Sequence, residues 1–359
     1  MKKILILSTI WGHKSVGKGI YDAIPGGRFE KYLEVINVDP FSLNSYKTIY
    51  RFVPWFFGST YQLSKFESAN KLFDKFFEKN YFKTIERLIK KYRPDIVISS
   101  YFAFDSSIGK LTKKYKFRYL SAFTDPWTFS RIHISTSGLN LVFDEKAYKK
   151  LKRLEPNAEA RIIGWFTEQK YYEGLEKTEA RKKLGIDPDI LTFCIAGGSE
   201  GTYDILKTIN PLLNIKHDLQ MLFMCGGNDY LFKLIKTFAK IAPKNIKIIP
   251  FRYTKQMELY IKASDLVIGK AGPSSIFESI VCGVPFFAIT HITGQEDGNL
   301  DLIKKYKIGI VEENTIKAAR KMIEIVNKPS ILDSFNKPIR DCVSYISGSG
   351  GRLLKIISE

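Results

Sequence analysis

Residues 264–299 read SDLVIGKAGPSSIFESIVCGVPFFAITHITGQEDGN. The short apolar run at 266–268 reads as a buried strand. It ends at Gly269, and the chain turns through Ala271 and Gly272 into a helix that begins near Ser274. Pro273 and the two serines are helix-starting residues, Ile276/Ile280 and Phe277/Val281 repeat at helical spacing, and Gly283 with Pro285 ends the helix. A second apolar run, 285–289, follows. Strand, turn, helix and strand in this order make a parallel βαβ unit, whose helix N-terminus faces the carboxyl edge of the sheet. Free N–H groups and the helix dipole suit a diphosphate there.

Working outward, similar runs recur with helical stretches between them and sort into two series. One comprises 3–9, 33–38, 95–100, 118–123, 141–143 and 161–164; the other comprises 192–196, 220–225, 246–251, 266–268, 285–289 and 308–311. The chain of 359 residues has room for two such α/β domains. The expected boundaries are 1–164 for the first and 165–345 for the second. A terminal helix, 346–359, follows the glycine-rich Ser347 to Gly351 and is expected to pack back, with the first domain as a candidate surface.

Net charge is +19, and residues 1–164 carry 29 basic against 15 acidic side chains, so most of the excess lies in the first domain. Such a surplus favours an anionic partner. Cys194, Cys225, Cys282 and Cys342 stand too far apart for a metal-ligand pair and read as reduced core thiols. The opening MKKILILSTIWGHK suits a first strand better than a signal peptide, and no uncharged run approaches the roughly 18 residues of a membrane span. The expectation is a protein on the cytoplasmic side.

Residues 46–93 break the alternation, being helical, basic and aromatic. From 72 to 82 the helix is expected to bury aromatics on the first sheet while Lys71, Lys75, Lys79 and Lys83 form a solvated face. Phe52, Trp55, Phe56 and Phe57, around Pro54 and Gly58, read as an acceptor or membrane contact, since interfacial aromatics beside basic residues suit an anionic bilayer.

Further chemistry-bearing groups follow strands of the second series. Glu278 lies one turn into the helix after Gly272, where a carboxylate can accept from a ribose diol or simply face solvent. Residues 294–299 gather amide and carboxylate groups suited to sugar hydroxyls. A second glycine turn, 196–201, is not the dinucleotide G-x-G-x-x-G pattern, but two such turns on one sheet favour a nucleotide diphosphate site. Asp187-Pro188-Asp189 spells D-x-D yet sits before a strand and reads as a turn. His217 and His291 read as structural, with His291 bordering the site; Lys270 could pair with phosphate or with water.

The stretch from Gly269 to Asn299 resembles the donor signature of monogalactosyldiacylglycerol synthases and processive diacylglycerol glucosyltransferases, and more distantly that of the peptidoglycan lipid-linked N-acetylglucosaminyltransferase. Gly12-His13, YRFVPWFFGSTYQ, Thr124-Asp125, AGGSEG and PFRYTKQM extend the resemblance over most of the chain. It implies the α/β GT-B fold, two Rossmann-like parallel-sheet domains facing a cleft. It also implies that Phe251 offers backbone contacts to uracil and that Gly198, Ser199, Gly272, Pro273, Ser274 and Ser275 surround the diphosphate. Glu278 would hold the ribose, and Gln295 and Glu296 the sugar hydroxyls. His13 would act at the acceptor hydroxyl with Asp125 beside it. Two departures stand out: Trp11 replaces a small residue before Gly12-His13, and Ser130 stands where the family has a histidine, with His133 three positions on.

The implied activity is inverting transfer of a hexose from a UDP-sugar to a membrane lipid, diacylglycerol first, on the inner face of an anionic membrane, with no cofactor and no metal. Alternatives are a polyprenyl-linked or soluble glycan acceptor, or a UDP-sugar 2-epimerase. A nucleic-acid or nucleotide-sugar binding module fits the charge, but no base-stacking or groove-reading motif is present, and nucleic acid is not an expected partner.

Overall fold

The computed structural model describes residues 1–38, 67–197, 203–208, 212, 213 and 215–359. Both series of apolar runs form sheets, each of six parallel strands, in two separate units. The first unit holds Met1–Gln169, Thr293–Asn299 and Tyr345–Glu359; the second holds Lys170–Ile292 and Leu300–Ser344.

In the first unit the order along the chain is β1 (Lys3–Ser8), α1 (Gly12–Ala23), β2 (Glu30–Val35), α2 (Glu67–Tyr92), β3 (Ile96–Ser99), α3 (Asp105–Thr112), β4 (Arg118–Ala122), β5 (Leu139–Val142), α4 (Glu145–Leu154) and β6 (Ala160–Ile162). The spatial order is β2-β1-β3-β4-β5-β6. Strand β1 sits where the winding reverses, and its Ile4, Leu5, Ile6 and Leu7 are fully buried, as a strand covered on both faces requires. Strand β2 begins three residues earlier than the apolar pattern indicates because Glu30 pairs with Lys3 at the start of the ladder.

The second unit runs α5 (Lys177–Leu184), β7 (Thr192–Ala196), β8 (Leu219–Met224), α6 (Asp229–Ile241), β9 (Ile246–Phe251), α7 (Met257–Lys262), β10 (Leu266–Lys270), α8 (Pro273–Val281), β11 (Phe286–Thr290), α9 (Asp297–Tyr306), β12 (Gly309–Val311), α10 (Thr315–Asn327) and α11 (Asn336–Ser347). Its order is β12-β11-β10-β7-β8-β9, with the reversal between β7 and β10. Phe193, Ile195, Phe223, Ile268 and Phe287 centre one face of its core.

A last helix, α12 (Ser349–Ser358), completes the first unit. Lys2 Nζ donates to the Ile357 carbonyl at 3.1 Å, Arg118 Nη1 to Ile356 at 2.6 Å and Arg352 Nε to Ile163 at 2.8 Å. Gly164 adopts φ +95°, and a Cβ there would lie 2.3 Å from Ser349 Oγ, so only glycine lets the helix seat.

Helix α2 departs from the sequence reading. Its later turns bury Tyr81, Ile85, Leu88 and Ile89 at helical spacing, but at its start Leu72 is 70% exposed and Phe76 50%. Those two apolar side chains share the surface with exposed Lys75, Lys79 and Lys83. Phe52, Trp55, Phe56 and Phe57 lie outside the described residues, as do Gly198 and Ser199.

Candidate functional site

Parallel sheets bind ligands at the carboxyl edge where strand order reverses. In the first unit that point lies between β1 and β3. Leaving β1, the chain takes Trp11 through φ +59°, ψ −137° and starts α1, which puts His13 in its first turn. The helix runs close to both strands because Gly17 has no side chain; a Cβ there would meet Ser8 Cβ at 2.9 Å and Ser100 Oγ at 3.3 Å. Ser100 Oγ donates to the His13 carbonyl at 3.1 Å and lies 2.9 Å from Ser8 Oγ, tying the two strand ends to the helix.

The His13 ring is fixed on three sides. Its Nδ1 lies 2.8 Å from the Ser100 carbonyl and 3.0 Å from Thr124 Oγ1, and Tyr101 meets it edge-on with centroids 4.7 Å apart. A carbonyl only accepts, so Nδ1 carries the proton and Nε2 presents a lone pair. Burial pulls the imidazole down to about 4, with the Ser100 carbonyl opposing, so the ring is neutral at physiological pH. Asp125 is half-buried just past β4, next to Thr124.

Beyond Asp125 the loop is pinned. Trp127 is buried, donates from Nε1 to Asp144 Oδ1 at 3.0 Å, and its carbonyl accepts from Lys150 Nζ at 2.7 Å. The same Asp144 oxygen accepts from Ala147 N–H and so caps α4. The loop then delivers His133, whose Nδ1 accepts from the Ser130 N–H at 3.2 Å while its ring lies 4.4 Å from Phe102. Burial takes His133 to about 4 as well, and charge on His13 disfavours charge on His133, so the two imidazoles share one electrostatic neighbourhood. A 3₁₀ turn, Arg131–His133, thus folds the later histidine back onto Ser130.

Gln295 and Glu296 lie in the segment Thr293–Asn299, grouped with this first unit. Glu296 is buried, Gly294 N–H donates to Asp297 Oδ1 at 2.8 Å, and Gly298 N–H donates to Thr128 Oγ1 at 2.7 Å.

In the second unit, β7 and β10 flank the reversal. A Cβ on Gly269 would lie 2.3 Å from the Ala196 carbonyl oxygen, so the glycine lets the two strand ends close up. Past β10, Ala271 N–H donates to the Thr290 carbonyl at 2.9 Å, and Gly272 becomes the N-cap of α8 with Pro273 at its first position. Gly272, at the N-cap, has no side chain with which to cap the helix. Gly272, Pro273, Ser274, Ser275 and Glu278 are all half-buried on the first turns. Phe251 ends β9 with its carbonyl accepting from Cys225 N–H at 2.8 Å and its ring 4.6 Å from Tyr260. The structure therefore assembles Gly272, Pro273, Ser274, Ser275 and Glu278 on one helix start, and His13 with Thr124 and Asp125 at the other unit's reversal point.

Asp187-Pro188-Asp189 is a turn: Asp189 N–H donates to Asp187 Oδ1 at 2.9 Å, and Gln220 brackets Asp187 through both its amide atoms. It precedes β7, on the amino side of the sheet. Among the described residues no His, Cys, Asp and Glu group could hold a metal ion. Sequence reasoning missed Ser100, whose contribution is a backbone carbonyl, and Tyr101, which walls His13.

Residues 192–325 match the family model "Glycosyltransferase family 28 C-terminal domain", and residues 30–135 match "Monogalactosyldiacylglycerol (MGDG) synthase". The chain is 28% identical over 255 residues to monogalactosyldiacylglycerol synthase 3, chloroplastic, of Arabidopsis thaliana, covering 67% of this chain and 54% of that protein. A probable monogalactosyldiacylglycerol synthase 2 of Oryza sativa is 30% identical over 180 residues, 48% of this chain and 37% of that protein. The chain thus spans about a third to a half of the length of these plant relatives. The processive diacylglycerol beta-glucosyltransferase of Bacillus licheniformis is 22% identical over 378 residues, all of this chain and 95% of that protein. Among solved structures, Acinetobacter baumannii MurG superposes with a TM-score of 0.61 at 11% identity over 100% of this chain and 99% of that one. The glycosyltransferase SnogD of Streptomyces nogalater gives 0.63 at 13%, over all of both chains. The fold is that of the GT-B glycosyltransferases.

Proposed function

We propose that the chain is an inverting glycosyltransferase that moves a hexose from a UDP-sugar to a membrane lipid, diacylglycerol first among acceptors. The observation that carries the reading is the neutral imidazole of His13, with Nδ1 locked on the Ser100 carbonyl so that Nε2 is a ready proton acceptor. In this mechanism the acceptor hydroxyl loses its proton to Nε2 as its oxygen attacks the anomeric carbon. The bond to the diphosphate breaks with its electron pair on the departing oxygen, facing the N-terminus of α8. One displacement inverts the anomeric centre. The groups named suffice without a metal, so EDTA should leave the rate unchanged.

The lipid acceptor is supported by the names of the relatives, a monogalactosyldiacylglycerol synthase and a diacylglycerol glucosyltransferase. It is supported too by the basic first unit and by Leu72 and Phe76 standing out among lysines. Each basic residue near an anionic surface contributes about 1 kcal/mol, so a few lysines with two apolar anchors give salt-sensitive docking. No helix among the described residues is long and apolar enough to cross a membrane. The reading is therefore peripheral attachment, on the cytoplasmic face where UDP-sugars are made.

The test is transfer of labelled sugar from a panel of UDP-sugars into organic-extractable product, with vesicles holding diacylglycerol and anionic lipid. Label in the lipid phase supports donor and acceptor together. UDP-sugar binding without lipid label removes the lipid acceptor, and absence of both removes the reading.

A further inference from the structure

Gly298 lies in the first turn of α9, a position where glycine weakens a helix relative to alanine. A close approach explains its presence. A Cβ on Gly298 would lie 2.6 Å from Thr128 Oγ1, 2.9 Å from Trp127 Cβ and 3.1 Å from the Thr128 nitrogen. The bare backbone instead makes a hydrogen bond, Gly298 N–H donating to Thr128 Oγ1 at 2.7 Å. The first N–H groups of a helix have no acceptor within it, so a hydroxyl 170 positions away in the chain does what a local capping side chain does elsewhere.

Both ends of this bond are fixed. Thr128 is buried, and Trp127 before it donates from Nε1 to Asp144 Oδ1 at 3.0 Å, accepts from Lys150 Nζ on its carbonyl and has Lys146 Nζ 3.6 Å from its ring centroid. On the other side the turn closes on itself. Gly294, at φ +85°, donates to Asp297 Oδ1 at 2.8 Å, and Asn299 N–H donates to the Glu296 carbonyl at 2.9 Å. Gln295 and Glu296 sit inside the loop that the Gly294–Asp297 bond closes, and Thr128 stands three residues past Asp125. Donor and acceptor of the joining bond both belong to the first unit.

We infer that Thr128 is a positioning residue for hexose recognition: by accepting from Gly298 N–H it fixes the turn that presents Gln295 and Glu296 to the sugar hydroxyls. Thr128 itself contacts no substrate. Groups that tell one epimeric hydroxyl from another must be held within about 0.5 Å by what surrounds them, and a turn that slides by more loses both rate and discrimination. The inference rests on the UDP-hexose reading, with Gln295 and Glu296 as sugar contacts, and adds to it the residue that sets their place.

The test uses the full chain and three readouts: kcat/KM for UDP-galactose and for UDP-glucose with vesicles of diacylglycerol and anionic lipid, UDP affinity from calorimetry, and Tm. Thr128→Val keeps the shape and removes the acceptor oxygen. It should lower kcat/KM for the better UDP-hexose by about tenfold, bring the two UDP-hexoses closer together and leave the affinity for UDP, which has no hexose, unchanged. Thr128→Ser keeps the oxygen and should restore most of the loss. Unchanged kcat/KM in Thr128→Val, an equal loss of UDP affinity, or no recovery in Thr128→Ser overturns the inference and leaves the transferase reading standing. If the unaltered chain transfers from neither UDP-hexose, that reading falls and the inference with it. Where Thr128→Val does not fold, Gly298→Ala at an unaltered Tm decides: lower kcat/KM with UDP affinity intact supports the inference, and loss of neither or of both overturns it.

Discussion

The Ser100 carbonyl oxygen holds Nδ1 of His13 at 2.8 Å, and this one contact decides which ring nitrogen can take a proton. The residue just past strand β3 supplies the carbonyl and helix α1 the ring, so the tautomer is set by how a strand end and a helix start meet at the sheet reversal.

His13→Ala should lower kcat by about 10²- to 10⁴-fold and leave UDP affinity nearly intact. The free chain should keep its base deprotonated far into acid, so the acid limb of kcat/KM should fall near pH 4 instead of 6.5. Normal turnover in the variant removes His13 from the mechanism.

Stability should rise with pH between about 4 and 6.5. His13 and His133 both hold folded-state values near 4 against an ordinary 6.5, so the unfolded chain binds more protons across that window. Each contributes up to about 3 kcal/mol, lost as pH falls. Urea denaturation at a series of pH values, with His133→Gln as the comparison, checks the slope; an identical slope in the variant removes His133 as a source.

Asp105 acts with the opposite sign. Burial lifts its carboxyl to about 6, outweighing help from the Ser135 and Tyr119 hydroxyls, so the folded state binds the extra proton and stability falls as pH rises from about 4 to 6. Asp105→Asn should raise stability at pH 7, by up to about 3 kcal/mol, and Tm with it. A lower Tm at pH 7 would show that the ionised carboxylate is favourably paired.

Trp11 holds a backbone conformation that favours glycine, at a cost of about 1–3 kcal/mol. Trp11→Gly should therefore be stabilising in denaturant titrations even though a large side chain is lost. A fall in stability means that the indole's packing outweighs the strain.

Glu278→Ala should weaken UDP and uridine together, about tenfold, because a ribose contact is common to both ligands. Loss of UDP binding alone would move Glu278 from the ribose to the phosphates.

Both sheets were legible because buried parallel strands are continuous apolar runs, and runs such as Ile4 to Leu7 have few other structural meanings. Strand ends were less so: β2 starts at Glu30 because its ladder with Lys3 sets the start, and a ladder has no local signature. The turn into α8 was readable from Gly272 and Pro273, whose backbone properties are their own. Partners were not. Ser100 works through a carbonyl that every residue type has, and Glu313 reaches His291 only because β12 lies beside β11. The start of α2 misled because helical spacing of Leu72 and Phe76 implies a buried face, yet the sheet is covered further along the helix, by Tyr81, Ile85 and Ile89.

The bond from Lys2 to Ile357 joins residues 355 positions apart. Helix α12 leaves the ribosome after the whole second unit has been made, which at about 5–20 residues per second is a delay of roughly 10–35 s. During that interval the first unit lacks the partner for Lys2, Arg118 and Ile163, while the second can close its own core. Synthesis order and folding order are therefore inverted: the half translated first is the half completed last, and a chaperone bound to nascent chains should be found on the surface that α12 later covers.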